Sequence, residues 1–176
     1  TGSQSTSAVV LAKGIPIIAG TIESGTIENP MIQHFVQGVQ PSNGTSAWTS
    51  RSVVGVGPQS DRIEAIDVAA NGNTAWAGSQ GGAFAVGLVS PTGGRVWTFV
   101  FDDQEKFGPK SVFEGATQVR FDLEGHVVAF GQNRGVAVAV RLNRVNGTPL
   151  WTRSLETAPA GSLLVDKFGP LPVRVT

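Results

Sequence analysis

Apolar and polar residues alternate with a period of two over most of this chain, in short runs broken by glycine-bearing turns, which predicts β-strands throughout. Three alternating or near-continuous apolar runs, residues 34–39, 83–89 and 136–142, each lead into a turn that ends on a tryptophan. These are Trp48, Trp97 and Trp151, followed by Thr49, Thr98 and Thr152. Ahead of each run lies a shorter one, residues 16–20, 74–78 and 126–131, closing on Gly20, Gly78 and Gly131. Ahead of that again lie residues 8–12, 65–69 and 117–121. Asn71-Gly72 and Glu124-Gly125 supply tight turns between the first two strands of the later copies. No segment keeps a helical period over three turns.

The tryptophans stand 49 residues (48 to 97) and 54 residues (97 to 151) apart, so the chain is first of all a repeat. Each unit reads strand, turn, strand, loop, strand, turn, strand. The expected units are residues 1–58, 59–107 and 108–158, with residues 159–176 as the first two strands of a fourth. In the first unit, residues 21–33 replace a loop that is only residues 79–82 in the second, and they read as a loop insertion at the end of a sheet. Four short strands per ~50 residues, with a terminal aromatic, is the pattern of a propeller blade. The expected fold class is all-β: four-stranded antiparallel β-propeller blades, three full and a partial fourth.

Residues 64–97 carry a resemblance in Glu64-Ala65-Ile66-Asp67-Val68-Ala69, Asn71-Gly72-Asn73-Thr74-Ala75-Trp76-Ala77-Gly78 and Pro91-Thr92-Gly93-Gly94-Arg95-Val96-Trp97. This stretch resembles the bacterial-type seven-bladed propeller repeat, a WD40-like architecture. It is similar also to the repeats of pyrroloquinoline-quinone-like propellers, where a turn glycine followed by tryptophan docks one blade on the next. The likeness covers most of residues 60–158 and, more loosely, residues 8–54. Both families contain enzymes, scaffolds and adhesion modules, so the resemblance speaks for fold and leaves function open.

Propellers close with about four to eight blades, so three and a half predict an incomplete ring. The completion is a longer polypeptide, other copies of the same chain, or a compact four-bladed form whose last blade borrows the N-terminal strand. The first residue, Thr1, favours a longer parent.

Composition narrows the setting. Thirteen basic and thirteen acidic residues cancel, which removes the electrostatic case for nucleic acid or an anionic membrane surface. No apolar run approaches the ~20 residues that span a bilayer as a helix. The chain has no cysteine, so disulfides, thiolate metal sites and a cysteine nucleophile are excluded together. With two histidines, His34 and His126, a zinc site would need carboxylate partners at a spacing the sequence does not show.

Candidate chemistry is correspondingly sparse. Asp102, Asp103 and Glu105 follow an apolar strand and form an acidic loop; they read as a solvated inter-blade turn or a Ca²⁺ site, with Asp61 and Glu64 placed similarly ahead of their own repeat. Residues 90–97 partly resemble the Asp-box of sialidases but have Thr92 where the aspartate belongs. Trp76 reads either as an inter-blade core residue or as an exposed platform for stacking a glycan. Asn43-Gly44-Thr45 and Asn146-Gly147-Thr148 are glycosylation sequons at equivalent turns, where Asn-Gly also suits a type I′ turn. Arg95, Arg134, Arg141, Arg144 and Arg153 read as strand-edge charges that oppose aggregation.

The expectation is a non-enzymatic structural or protein-interaction scaffold, extracellular or at the cell surface, with no catalytic residue and no cofactor beyond the Ca²⁺ alternative. Its expected partners are the remaining blades, other copies of itself, or a protein or glycan ligand. Two rival readings stand beside it. One is a portion of a propeller hydrolase or dehydrogenase with catalytic residues outside this segment; the other is a carbohydrate-binding propeller.

Overall fold

The computed structural model describes residues 3–25, 30–51, 55–56, 61–101, 114–133 and 135–155, and every regular element among them is a strand. The first sheet is the antiparallel meander β1 (Ser3–Ala12), β2 (Ile15–Gly25), β3 (Pro30–Val39) and β4 (Ser46–Arg51), with the two-residue β5 (Gly55–Val56) pairing beside β3. The second is β6 (Arg62–Val68), β7 (Thr74–Gln80), β8 (Ala83–Val89) and β9 (Arg95–Phe101). The third is β10 (Gly115–Phe121), β11 (Val127–Asn133), β12 (Val136–Leu142) and β13 (Pro149–Leu155). Strand order follows chain order in all three, so each repeat folds into one blade-like unit and the units pack face to face. The stretch of Asp102, Asp103 and Glu105, expected as an acidic loop, and residues 159–176, expected as part of a fourth unit, lie outside the described residues.

Each unit carries the same irregularity. The first strand bulges between Thr6 and Ala8, between Ile63 and Ala65, and between Ala116 and Gln118. Directly opposite, in register with Thr6, Ile63 and Ala116, stand Gly20, Gly78 and Gly131. A bulge pushes the carbonyl of the preceding residue into the space where the partner's side chain would stand. A Cβ would lie 1.9 Å from the Ser5 oxygen at Gly20, 1.8 Å from that of Arg62 at Gly78, and 2.1 Å from that of Gly115 at Gly131. These glycines are the repeat's fixed points, and close backbone approach is their reason.

Two expectations need correction. Residues 21–33 are not a loop insertion: β2 and β3 run on as a long hairpin, with Ile22 opposite Gln33, Glu23 opposite Ile32 and Ser24 opposite Met31. His34 therefore sits inside β3 rather than at its start. The Asn-Gly turns are also not type I′, which needs positive φ at both central residues. Among the turn residues Asn43, Gly44, Asn146 and Gly147, only the glycines have positive φ. Gln40 closes on Gly44 and Thr45, and Asn143 on Gly147 and Thr148, giving longer loops that end on a left-handed glycine.

The core lies between the sheets. The second sheet is covered on both faces, which is why β8 is buried at every residue and reads as a near-continuous apolar run. One seam joins Phe84, Val86, Leu88 and Trp97 to Val119, Val127, Val138 and Val140 of the third sheet. The other joins Ile17, Ala19 and Val36 of the first sheet to Ile63, Ile66, Trp76 and Val89. Among the described residues, the first sheet is covered on one face. Counting from the bulge, Val9 matches Ile66 and Val119, which are 7% and 0% exposed, whereas Val9 is 69% exposed and Leu11 is 70%.

Candidate functional site

Three tryptophans and several polar contacts lie in the seams between sheets. Trp48 of the first sheet packs on Gly93 in the β8–β9 turn of the second, and Trp97 of the second packs on Gly147 in the β12–β13 turn of the third. The Trp97 indole N–H donates to the Arg144 carbonyl at 3.3 Å. Both glycines have positive φ (+86° and +71°), so the turn presents backbone alone, and a Cβ would fall 2.8 Å and 2.7 Å from the indole carbons. The equivalent turn of the first sheet has Gly44 at φ +72°, and nothing among the described residues lies within 4 Å of where its Cβ would stand. Trp151, the third-sheet equivalent of Trp97, is half-buried.

Further bonds cross the seams at the first strands of the units. The Ser7 hydroxyl donates to the Ile63 carbonyl, and the Asp67 carboxylate accepts the Phe121 N–H at 2.8 Å. Ser7 occupies the bulge of β1, so the same extra residue that forces a glycine on β2 also supplies a donor to the next sheet.

Trp76 is 3% exposed, with its ring centroid 4.4 Å from that of His34. It lies between the first two sheets against Gly87, so it offers no open face for a sugar; of its two readings, the core one holds. His34 is 4% exposed, and burial holds its imidazole down to about 4 from the ordinary 6.5. The unfolded chain therefore takes up the proton first as pH falls, and stability drops progressively from about 6.5 to about 4, by roughly 3 kcal/mol. Replacing His34 with Phe keeps a ring against Trp76 and should remove most of that acid sensitivity; urea unfolding at pH 7 and pH 4 measures it. Beside this pair, a cleft between the sheets lined by Ser50, Arg51, Gln80 and Arg95 encloses about 20 Å³. That is water-sized, far below a substrate pocket.

A second polar cluster binds the two turns at one end of the third sheet. Asp122 accepts the Glu124 and His126 N–H groups, both at 2.9 Å, and its other oxygen meets the Arg141 guanidinium at 2.8 Å. Arg141 also reaches Glu124 at 2.8 Å, and the two carboxylates push its already high pKa further up. Arg144 donates to the Glu124 carbonyl at 2.8 Å, while its own N–H donates to His126 Nδ1 at 3.2 Å. Arg141 and Arg144 thus clamp turns together instead of guarding an edge. Arg95 and Arg153 do lie on the fourth strands β9 and β13, both exposed. Arg134 is outside the described residues.

The remaining candidates do not converge. Asp61 is buried and accepts the Gly81 N–H at 2.6 Å; desolvation raises its pKa and that bond partly offsets the rise. Glu64 pairs with Arg62 at 2.7 Å. Glu114 and Asn133, at the matching ends of β10 and β11, are buried with no hydrogen-bond partner for their side chains among the described residues. Asn43 and Asn146 are exposed, and each side-chain oxygen accepts both the N–H and the hydroxyl of the threonine two residues on. Among the described residues no three metal-ligating side chains gather, and no helix is long and apolar enough to cross a membrane.

The His34–Trp76 pair and the buried Asp61 were not visible as a set in the sequence. For His34 the signal was a polar residue inside an apolar strand; Asp61 stands just ahead of β6 and carries no such signal.

No protein-family model matches the chain, and no curated protein matches it.

Proposed function

We propose that this chain is a non-catalytic β-propeller module that acts as a structural or protein-interaction scaffold, extracellular or at a cell surface, within a larger chain or assembly. The carrying observation is the unequal burial of matched positions. Ile66 and Val119 are covered by a neighbouring sheet, while Val9 and Leu11 present the same strand face to solvent. An apolar face of this kind on a regular sheet marks a surface made for a further unit. The exposed sequons at Asn43 and Asn146 support the extracellular setting.

The test uses chemical cross-linking in source material followed by mass mapping. Lys13, exposed in the β1–β2 turn close in sequence to Leu11, is expected to link to a neighbouring propeller-type unit, and intact mass is expected to show glycan on Asn43 or Asn146. In parallel the purified chain is offered chromogenic esters, glycosides and quinone-linked alcohols. Turnover of any of these by the chain itself would overturn the scaffold reading.

A further inference from the structure

We propose that the cleft between the first and second sheets is a binding site for a carboxylate group, held by Arg51 and Arg95 together with Ser50, Gln80 and Thr98. Such a site is independent of the scaffold reading above, since a scaffold and an enzyme can each carry one.

Its donors are gathered but not engaged. Among the described residues, Arg62 and Arg141 meet carboxylates, and Arg120 and Arg144 hold backbone carbonyls. Arg51 and Arg95 line one cleft, and among the described residues neither has a carboxylate beside it. The side chains of Ser50, Gln80 and Thr98 line the same cleft and likewise make no hydrogen bond among the described residues. Two guanidinium groups facing one space repel each other, and an anion between them removes that cost. The adjoining sequence supplies no counter-ion. Residues 52–60 contain no aspartate or glutamate, and Asp61 is buried on the Gly81 N–H. On the other side, β9 carries the chain about 20 Å beyond Arg95 before Asp102.

The repeat shows that the fold does not require these charges. Val36 and Val86 match in register, and they pair with Ser50 and Phe99. Val89 and Leu142 match likewise, and they pair with Arg95 and Pro149. Arg51, opposite Phe35, matches Val100, opposite Ala85. Phe99 packs against the core between the second and third sheets. In the first seam, Ser50 in place of that ring leaves an opening, and Arg95 in place of proline brings a charge to it.

The size and shape of the cleft choose the ligand chemistry. It encloses about 20 Å³, on the order of one water, so it takes the end of a molecule and not the whole. A carboxylate end is planar and matches the guanidinium fork. The hydroxyls of Ser50 and Thr98 and the Gln80 amide can donate to its remaining lone pairs. A tetrahedral phosphate presents more oxygens than so small a space admits. A small free acid and an Asp or Glu side chain of another polypeptide both present the end that fits.

Nitrogen–proton correlation spectra of the full chain read the outcome, with ionic strength held constant so that general screening does not change. The chain is titrated separately with succinate, with an end-blocked peptide bearing a single glutamate, and with phosphate. The Arg51 and Arg95 side-chain N–H signals and the Trp76 indole N–H should shift saturably, half-complete at about 1 to 10 mM carboxylate. Arg51→Gln and Arg95→Gln should each weaken binding about tenfold; both residues are exposed, so the fold stands. Arg153→Gln, exposed on β13 and outside the cleft, should leave binding unchanged. Whichever carboxylate binds more tightly names the source, free acid or polypeptide, and either order sustains the site. Phosphate saturating at the same or a lower concentration overturns the carboxylate assignment. The absence of a saturable shift, or shifts indifferent to both cleft substitutions, overturns the site. None of these results touches the scaffold reading, which fails on turnover instead.

Discussion

Gly78→Ala should remove on the order of 4 kcal/mol or more of stability, enough to empty most of the folded population of a domain of ordinary stability. A single methyl group would have to occupy a point 1.8 Å from the Arg62 carbonyl oxygen and 2.9 Å from the Ile63 Cα. Both obstacles are backbone, so no rotamer change relieves the clash. Either the bulge between Ile63 and Ala65 flattens or β6 separates from β7. Flattening shifts one side of the strand by one residue, so that Ile63 and Ile66 no longer face the same seam. Gly14→Ala provides the comparison: positive φ but nothing within 4 Å, hence a cost of about 1 kcal/mol from backbone strain alone. Chemical unfolding of the two variants side by side checks the difference, and near-equal losses would sink the explanation.

Trp97→Ala is expected to cost about 3 to 5 kcal/mol, the range for a large aromatic removed from a packed core. Trp97 is 7% exposed, sits on Gly147 and donates to Arg144, so its loss opens a cavity and strands a carbonyl in the same seam. Trp151→Ala should cost nearer 1 kcal/mol, because the third sheet is the last of the described stack. The same substitution at matched positions thus separates what the residue contributes from what the neighbouring sheet contributes. Equal losses at the two positions would mean that tryptophan stabilises its own sheet rather than the seam.

Strand content, repeat length and the fixed glycines and tryptophans were legible in the sequence, because each depends on residues near in the chain. Alternation set the strands, and Gly20, Gly78 and Gly131 recurred because one bulge recurs. The β2–β3 extension was not legible. Its pairing of Ile22 with Gln33 and Glu23 with Ile32 is a cross-strand property, and comparison with the short loop of the second unit suggested an insertion instead. The turn type failed for a similar reason: Asn43-Gly44 permits a two-residue turn, but the closing bonds of Gln40 fix a longer one. His34 and Trp76 come together from different sheets, as do Asp67 and the Phe121 N–H, and nothing within one repeat announces either. The candidate site was therefore the least readable part. Its acidic members Asp102, Asp103 and Glu105 stay a proposal from sequence, and Trp76 turned out to belong to the core.

The seats at Gly93 and Gly147 have a consequence for how such a chain changes in length. Every unit carries both halves of its own connector, a tryptophan for the unit after it and a turn glycine for the unit before it. Duplicating or deleting a whole unit consequently joins two ends that already match, whereas a partial deletion leaves one half without its counterpart. Unit number is free to vary while the sequence of each unit stays under the same packing constraint. Growth by whole modules is the change this architecture tolerates most readily.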